Sequence, residues 1–320
     1  MATRAWWLGV VLAFTALSAH AQYPARSVRF IIDTNPGGVT DILGRLAADS
    51  LSQQLGRSFV VENRAGGSGH IAFEMFVKAP PDGYTLMVAG GGNLVIQPFL
   101  QKNLPYDPLN DLLPVFNIAE TPHILVVPRG LPANNLQEFI AWAKARPGQV
   151  NYGSAGVGSP PHLAADHFAH LAGLQMLHVP YKGVGGTLSD LVAGRIQLVS
   201  MSLGSAATNI KAGTLKALAA GSKKRLAGLP EVPTSAEAGL PGWEMSAWFG
   251  VMAPRDTPRD IVRVVNEKLQ VHIEEAKTRQ RFVEIGAEPI GGSPESFAER
   301  VRSDYRLWGQ VVKESGIKLE

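Results

Sequence analysis

The sequence contains no cysteine, and this absence removes several classes of protein. Disulfide-stapled scaffolds, iron–sulfur sites, cysteine-ligated zinc sites and thiol nucleophiles all require cysteine. The chain also has little net charge, because 30 basic residues against 27 acidic ones give only +3 over 320 residues. Its one basic cluster is the short run Lys223–Arg225, whereas a nucleic-acid-binding surface needs larger patches of Lys and Arg to neutralise phosphates. We therefore expect no nucleic-acid partner.

Long apolar runs are scarce as well. At the N-terminus, the 13 residues Ala5–Leu17 follow Arg4 and precede Ala19-His20-Ala21. This run is short for a transmembrane helix, which needs about 20 residues, but it has the length and flanks of a secretory signal with an A-x-A cleavage site. A transmembrane anchor is the alternative. We expect residues 1–21 to be a signal peptide that is cleaved after Ala21, which leaves an exported, soluble protein.

The mature chain alternates β-type runs with helical ones, and glycine and proline separate them. Val28–Ile32 is typical of a buried strand, Pro36–Gly38 of a turn, and Asp41–Leu55 has apolar residues at helical spacing. The pattern continues through the middle third, and the chain ends with two helical segments, Pro258–Ala276 and Glu295–Val312. This alternation predicts an α/β fold with mostly parallel sheets.

Three glycine-rich loops each connect a predicted strand to a predicted helix: Asn35–Gly38, Ala65–Gly69 and Ser154–Ser159. Glycine allows the backbone to approach a ligand closely, and the first turn of a helix offers unpaired N–H groups at the positive end of its dipole. Ligands of open α/β sheets bind beyond the carboxyl ends of the strands, where these loops lie. Three such loops around one cleft predict a site for a small anion that needs no Lys or Arg.

The sequence lacks complete versions of three common enzyme motifs. Gly67–Ala72 matches the dinucleotide pattern G-x-G-x-x-A, but the nearest candidate for the acid that would bind the ribose, Asp82, falls in a turn. The sequence has neither a G-x-S-x-G elbow nor a phosphate-binding G-x-x-x-x-G-K-[ST] loop. We therefore expect no nucleotide cofactor.

A cluster of polar residues on one predicted helix offers a metal site or a catalytic site as alternatives. His162, Asp166 and His170 follow one another at intervals of four residues. The outer two are separated by about 12 Å along a helix axis, so the three are poorly placed to share one metal. A hydrolase or lyase that uses Ser154, His162 and Asp166 stays open, although the spacing does not bring a general base to the nucleophile. We expect no metal and no enzymatic activity.

Nine motifs extend over the mature chain. They are Pro36-Gly37-Gly38 with Asp41 and Arg45, Val61–Gly66, Pro81–Leu86, Leu104–Pro108, Tyr152–Ser154 with Gly156, Gly158-Ser159 and His162-Leu163, His178–Gly183, Ile210–Gly213, Val232–Thr234 with Glu237–Gly239, and Gly291–Glu295. In this order they resemble the Bug/TctC family of periplasmic solute-binding proteins, which serve tripartite tricarboxylate transporters.

The resemblance implies a two-lobed periplasmic binding protein fold of the Venus-flytrap type (type II-like), with crossing strands near Ile124–Val127 and Trp248–Met252. Lobe 1 would comprise residues 22–124 and 248–320, and lobe 2 residues 125–247. A small carboxylate would bind in the interlobe cleft, and the closed form would dock on membrane permease subunits. By analogy with relatives we expect a periplasmic monomer. A sensor kinase as the partner in place of a permease stays open.

By analogy with the family, the site would use Gly37, Gly38, Gly66, Gly67, Ser154, Gly158 and Ser159. The full prediction adds neighbouring residues of these loops and residues at strand ends. The predicted ligand-binding residues are Thr34, Asn35, Gly37, Gly38, Asp41, Gly66, Gly67, Ser68, Gly91, Ser154, Ala155, Gly158, Ser159, His162, Tyr181 and Ser202.

The chain departs from the family's pattern at two places. Asp33, Thr34 and Asn35 stand where family members usually have proline, an aromatic residue and a third small residue or proline, and Gln197 and Met201 replace two family aspartates. We hypothesise that Asp33 or Asn35 accepts a hydrogen bond from a hydroxyl or amine of the ligand. The alternative is that Asp33 only caps or braces its loop.

Overall fold

The structure is a computed structural model, and it describes residues 23–66, 69–181 and 184–315. The predicted signal peptide, residues 1–21, lies outside the described residues, as do Gly67 and Ser68 of the predicted site. Within the described ranges, every helix is too short or too polar to cross a bilayer.

Helices and strands alternate along the chain as the sequence predicts. In chain order the elements are β1 (Val28–Ile32), α1 (Val39–Leu55), β2 (Phe59–Asn63), α2 (His70–Val77), β3 (Thr85–Gly90), α3 (Gly91–Val95), α4 (Gln97–Leu100), β4 (Leu112–Pro128), α5 (Leu136–Lys144), β5 (Val150–Ser154), α6 (Pro160–Ala172), β6 (Met176–Pro180), α7 (Val184–Val192), β7 (Leu198–Ser202), α8 (Leu203–Lys211), β8 (Leu215–Ala220), β9 (Ser246–Pro254), α9 (Arg259–Glu274), α10 (Ala276–Glu284), β10 (Glu288–Pro289) and α11 (Pro294–Ser315).

The strands form two sheets that share β4. In the first sheet the order is β2–β1–β3–β9–β4; β2, β1 and β3 run parallel, and β9 runs antiparallel to β3 and β4. In the second sheet β4 pairs antiparallel with β7 and β8, and β7, β5 and β6 follow in parallel. In addition, β10 pairs antiparallel with β4. The α/β class is confirmed, but both sheets are mixed and parallel pairs are not the majority that the sequence predicts, because β4 and β9 run antiparallel to their neighbours.

The 17-residue strand β4 passes from one sheet into the other. Its residues Leu112–Pro122 pair with β9, and His123–Pro128 pair with β7 or β8. The chain returns beside this point, where His123 N donates to Met245 O (2.8 Å) and Met245 N donates to Gly221 O (2.9 Å). Two crossing segments therefore join the two halves, which confirms the two-lobed binding-protein fold.

The second crossing falls slightly earlier in the chain than the sequence suggested. Trp248–Met252 pair with β3 and β4 inside the first sheet, so the chain changes sheets just before them, near Met245 and Ser246. A short segment paired on both sides has the same buried, apolar sequence as a crossing strand, which explains the difference. The lobe boundaries at 124/125 and 247/248 stay a prediction.

The register of the sheets brings the carboxyl ends of their parallel strands to the crossing. Gly90, the last residue of β3, pairs with Phe249, which in turn pairs with Ala119 of β4. In the second sheet Ser202, the last residue of β7, pairs with His123 of β4. The loops that follow parallel strands in both sheets therefore start within a few residues of one another along β4.

One cluster of buried apolar side chains extends across both halves. It includes Phe73 of α2, Phe139 of α5, Phe168 of α6 and Phe297 of α11, all inaccessible or nearly so. The C-terminal helix α11 contacts α3 on one side and α6 on the other. Because α11 packs on helices of both halves, it holds the region next to the crossing in place.

We predict that Phe297→Ala lowers the free energy of unfolding by about 3–5 kcal/mol, the usual cost of removing a buried aromatic ring. Phe297 is 1% exposed, its ring meets Trp248 edge-on at 5.1 Å, and a side chain on Gly250 would collide with it. Denaturant unfolding measures the change. The control Val271→Ala, at a position 52% exposed on α9, should change stability by less than about 0.5 kcal/mol; equal effects would contradict the assignment of Phe297 to the core.

Candidate functional site

A cavity lies at the crossing, where the strand ends of the first sheet face the start of α6. It encloses about 660 Å³ of empty space, part of which is open solvent. We call it the cleft cavity. The residues that line it are Asp33, Thr34, Thr40, Gly90, Gly91, Gly92, Asn93, Ile96, Gln97, Gly158, Pro160, Ala247 and Phe249.

A second, more apolar space of about 360 Å³ adjoins the cleft cavity, and we call it the inner pocket. The two share Gly91, Gly92, Ile96, Pro160 and Ala247; the inner pocket adds Val95, His123, Ala164, Met245, Ser246, Trp248 and Trp308.

Three of the predicted ligand-binding residues, Thr34, Gly91 and Gly158, line the cleft cavity. The other predicted residues that the structure describes are not among its lining residues: Asn35, Gly37, Gly38, Asp41, Gly66, Ser154, Ala155, Ser159, His162, Tyr181 and Ser202. Contact of any of these residues with a ligand stays a prediction.

Asp41 holds the loop between β1 and α1. Its Oδ2 accepts hydrogen bonds from Gly37 N (2.9 Å) and Arg45 Nε (3.0 Å), and its Oδ1 accepts one from Asn63 Nδ2 (2.8 Å). Burial by itself would raise the pKa of Asp41, but these donors outweigh it and hold the pKa below its ordinary value. Both oxygens are satisfied by the protein, and the N–H of Gly37 is occupied, so this part of the loop is a brace for the start of α1.

The loop after β5 is also held by internal hydrogen bonds. Ser154 is inaccessible to solvent; its Oγ lies 2.9 Å from Gly156 O and 2.6 Å from His178 Nε2. The enzyme alternative paired Ser154 with His162, but the ring nitrogen Nδ1 of His162 instead accepts a hydrogen bond from Gly158 N (3.0 Å). A buried hydroxyl in such contacts shapes a loop and is not placed to attack a substrate.

The histidines under this loop form a stack. The rings of His162 and His178 lie 3.7 Å apart at an interplanar angle of 12°, and Tyr152 stacks on both. Burial, together with the charge of His178, lowers the pKa of His162 to about 4, and burial also lowers the pKa of His178. Both rings are therefore neutral near pH 7 and bring no positive charge to the site.

The start of α6 provides fewer amide donors than a typical helix. Its first two residues, Pro160 and Pro161, have no N–H, and the N–H of Gly158 just before it bonds to His162. The first turn of α1 has no proline, and its residue Thr40 lines the cleft cavity. Of these two helices, α1 is thus the better donor of backbone N–H groups to an anion.

Asp33 is the one carboxylate among the described residues that line the cleft cavity. It follows β1 directly, is 3% exposed, and its Oδ2 accepts a hydrogen bond from Asn93 Nδ2 (2.6 Å). Burial raises the pKa of Asp33 to about 6, although the hydrogen bonds from Asn93 and from its own backbone act in the opposite direction. Within the described ranges, no three His, Asp or Glu side chains converge as a metal site would require.

The remaining predicted side chains have partners outside the cleft cavity. Tyr181 donates its hydroxyl proton to Asp190 (2.6 Å), and Ser202 bonds with Ser205 (3.0 Å) at the start of α8. Ser159 donates its hydroxyl proton to Gly156 O (2.7 Å). These contacts stabilise the loops that follow β5, β6 and β7.

Several lining residues were missed in the sequence. The three consecutive glycines at the end of β3 are the same signal as the other glycine-rich loops, so Gly90 and Gly92 could have been found together with Gly91. Ala247 and Phe249 come from β9, more than 150 residues further along the chain than β3, and nothing local in the sequence marks them. Their position follows from the pairing of β9 with β3.

Two α/β sheets joined by two crossing segments, with a cavity lined by the helix starts of both, define the class of periplasmic solute-binding proteins. The model of the TctC family, described as "Tripartite tricarboxylate transporter family receptor", matches residues 43–317. The chain belongs to this family, as the resemblance in its motifs implies.

Curated relatives and solved structures are consistent with this family assignment. Protein BugT of Bordetella pertussis is 33% identical over 98% of this chain and 97% of its own length. The structure described as "R. palustris Rpa4515 with adipate" is 37% identical, covers 93% of this chain and all of that one, and has a TM-score of 0.78. MatC from Rhodopseudomonas palustris with bound malate is 30% identical, covers 91% of this chain and all of that one, and has a TM-score of 0.73.

We predict that Asp41→Asn lowers the free energy of unfolding at neutral pH by about 1–3 kcal/mol, because charge-assisted hydrogen bonds and an ion pair with Arg45 are lost. The folded-state pKa of Asp41 lies below its unfolded value. Its contribution is therefore complete above the unfolded pKa and disappears as the pH falls through the folded one.

Denaturant unfolding from neutral to acidic pH tests this. The difference between the wild-type protein and Asp41→Asn should shrink towards the acidic end. Asp49→Asn changes the same charge at an exposed position of the same helix and should have little effect. A difference for Asp41→Asn that is constant with pH would contradict the assignment of a lowered pKa.

Proposed function

We propose that the protein binds a small carboxylate solute in the cleft cavity and delivers it to the membrane permease subunits of a tripartite tricarboxylate-type transporter. The observation that carries this proposal is the cavity at the crossing, lined by Thr34, Thr40 and Gly91 from one half and by Gly158 and Pro160 from the other. The adipate and malate named for two similar structures support a carboxylate as the solute class.

The cavity offers donors without fixed positive charge. None of its described lining residues is Lys or Arg, and His162 and His178, next to the loop after β5, are neutral near pH 7. A carboxylate would be held by the first turn of α1, where the helix dipole contributes about 0.3–1 kcal/mol, and by the hydroxyls of Thr34 and Thr40. Charge-assisted hydrogen bonds add about 1.5–3 kcal/mol each, so a few of them support micromolar binding.

Delivery would follow from closure of the two lobes. We propose that residues 22–124 with 248–320 and residues 125–247 move as two bodies about the segments near Pro122 and Met245, with the solute stabilising the closed form. The closed form would present a surface composed of both lobes to the permease. In this proposal the protein is an exported periplasmic monomer, its signal peptide cleaved after Ala21.

The same proposal makes the protein a receptor and not an enzyme. Ser154, the candidate nucleophile, is inaccessible and hydrogen-bonded within its own loop. The family to which the chain belongs consists of transporter receptors, and this supports binding without turnover.

We predict that Gly92→Leu weakens binding of carboxylates by at least about tenfold, because a side chain at this position enters the cavity and displaces the solute. A Cβ at Gly92 meets nothing within 4 Å, so the substitution fills open space without disturbing packing. Isothermal titration of the mature protein with adipate, malate, citrate and benzoate measures the affinities; tenfold corresponds to about 1.4 kcal/mol.

The matched control is Gly130→Leu, since Gly130 is exposed and a Cβ there also meets nothing within 4 Å. It should bind as the wild-type protein does. Failure of the wild-type protein to bind any carboxylate in a broad panel would overturn the proposed function, and turnover of a bound acid into a product would overturn the receptor assignment.

A further inference from the structure

Three buried side-chain oxygens around the cleft cavity have no hydrogen-bond partner among the residues that the structure describes. They are Asp33 Oδ1, Thr34 Oγ1 and Gln97 Oε1, and all three residues line the cavity. Buried polar atoms in folded proteins nearly always have a partner, so a group of unpartnered ones needs an explanation. A carboxylate oxygen and an amide oxygen accept hydrogen bonds only, and a threonine hydroxyl can also accept one. This wall of the cavity is therefore suited to hydrogen-bond donors on a solute.

The position of Asp33 is held by a chain of contacts behind it. Asn93 Nδ2 donates to Asp33 Oδ2 (2.6 Å), and the hydroxyl of Tyr106 donates to Asn93 O (2.6 Å). Tyr106 in turn stacks on the buried ring of Phe73 at 4.3 Å. These contacts anchor one oxygen of the carboxylate and leave Oδ1 without a partner.

A carboxylate that only braces its loop has different contacts, and Asp41, in the first turn of α1 just after that loop, provides the comparison. Both oxygens of Asp41 accept hydrogen bonds from the protein, and a guanidinium balances its charge. Asp33 is equally buried at 3% exposure, but within the described residues its Oδ1 has no hydrogen-bond partner and no cation forms an ion pair with it. The alternative, that Asp33 only braces its loop, thus explains the hydrogen bond to Oδ2 but not the lack of a partner for Oδ1.

The negative charge of Asp33 also favours a hydrogen-bond donor on the solute. Asp33 is the only charged side chain among the described residues that line the cavity. Of the titratable groups near it, Tyr106 has its hydroxyl committed to Asn93 O, and His70 contacts Tyr106 ring to ring at 6.3 Å. A solute with carboxylates alone would bring negative charge towards Asp33, whereas an ammonium or hydroxyl group on the solute would donate to Oδ1 in a charge-assisted hydrogen bond.

We infer that Asp33 determines specificity by accepting a hydrogen bond from the solute, so that the preferred ligand is a carboxylate that also carries an ammonium or hydroxyl group. The carboxylate would lie at the first turn of α1, and the donor group would lie between Asp33 and Gln97. This inference rests on the proposed function, because it assigns the second recognition element of the same cavity.

The test uses acids that share one carbon skeleton. Succinate has no additional donor, malate has a hydroxyl group, and aspartate has an ammonium group; adipate and 2-aminoadipate form a longer pair. Titration calorimetry of the mature protein should give tighter binding of a donor-bearing acid than of its unsubstituted partner by about 10–100-fold, the range for a hydrogen bond to a charged group.

Two variants at Asp33 separate the kinds of donor. Asp33→Asn removes the charge and keeps an acceptor oxygen of similar shape, and Asp33→Ala removes both. If the natural donor is an ammonium group, both variants should abolish most of the preference for aspartate over succinate. If it is a hydroxyl group, Asp33→Ala should abolish the preference for malate and Asp33→Asn should retain much of it. Asp49→Asn, an exposed charge change outside the cavity, should leave the ratios as in the wild-type protein.

The outcomes distinguish this inference from the proposed function. Binding of succinate and adipate as tightly as their donor-bearing partners would overturn the role of Asp33 and leave carboxylate binding intact. Equal weakening of all the acids in Asp33→Ala, with the ratios unchanged, would assign Asp33 a structural role and also overturn the inference. Absence of binding for every acid would overturn both proposals.

Discussion

Sharing of β4 between two sheets is the constraint on which the rest of the structure depends. A single extended strand hydrogen-bonds to β9 over its first part and to β7 and β8 over its second. Because the register along β4 is set by these bonds, the carboxyl ends of β3 and β7 reach the same region. The cavity lies there because loops that follow parallel strands must begin where the strands end.

The electrostatics of the cavity follow from what surrounds it. Its described lining has no basic side chain, and burial keeps the nearby histidine pair neutral. Favourable interaction with an anion must then come from oriented N–H groups and hydroxyls, which recognise a carboxylate at a defined place. Against this background a single buried carboxylate, Asp33, would have a large effect on which solutes are accepted, in the role we propose for it.

The hydrogen-bond partners of Asp33, Asp41 and Ser154 could not be read from their positions in the sequence. Asp33 follows β1 and Asp41 lies eight residues later in the first turn of α1, yet only Asp41 has donors on both oxygens, one of them Asn63 on β2. The enzyme alternative combined Ser154 with His162 and Asp166, but β6 lies beside β5 and brings His178 to the hydroxyl of Ser154. In both cases the deciding partner comes from a neighbouring strand, which spacing along the chain does not reveal.

The sequence by itself determined the α/β class, the order of strands and helices, and the glycine-rich loops, because these depend on periodicity and backbone freedom within short segments. The motifs of the sequence were also sufficient to identify the family. Only the tertiary structure decided which loop residues face the cavity, that Ala247 and Phe249 complete it, and that Asp33 retains an unpartnered oxygen. Those features depend on which strands pair and in what register, and such pairing joins residues more than a hundred positions apart.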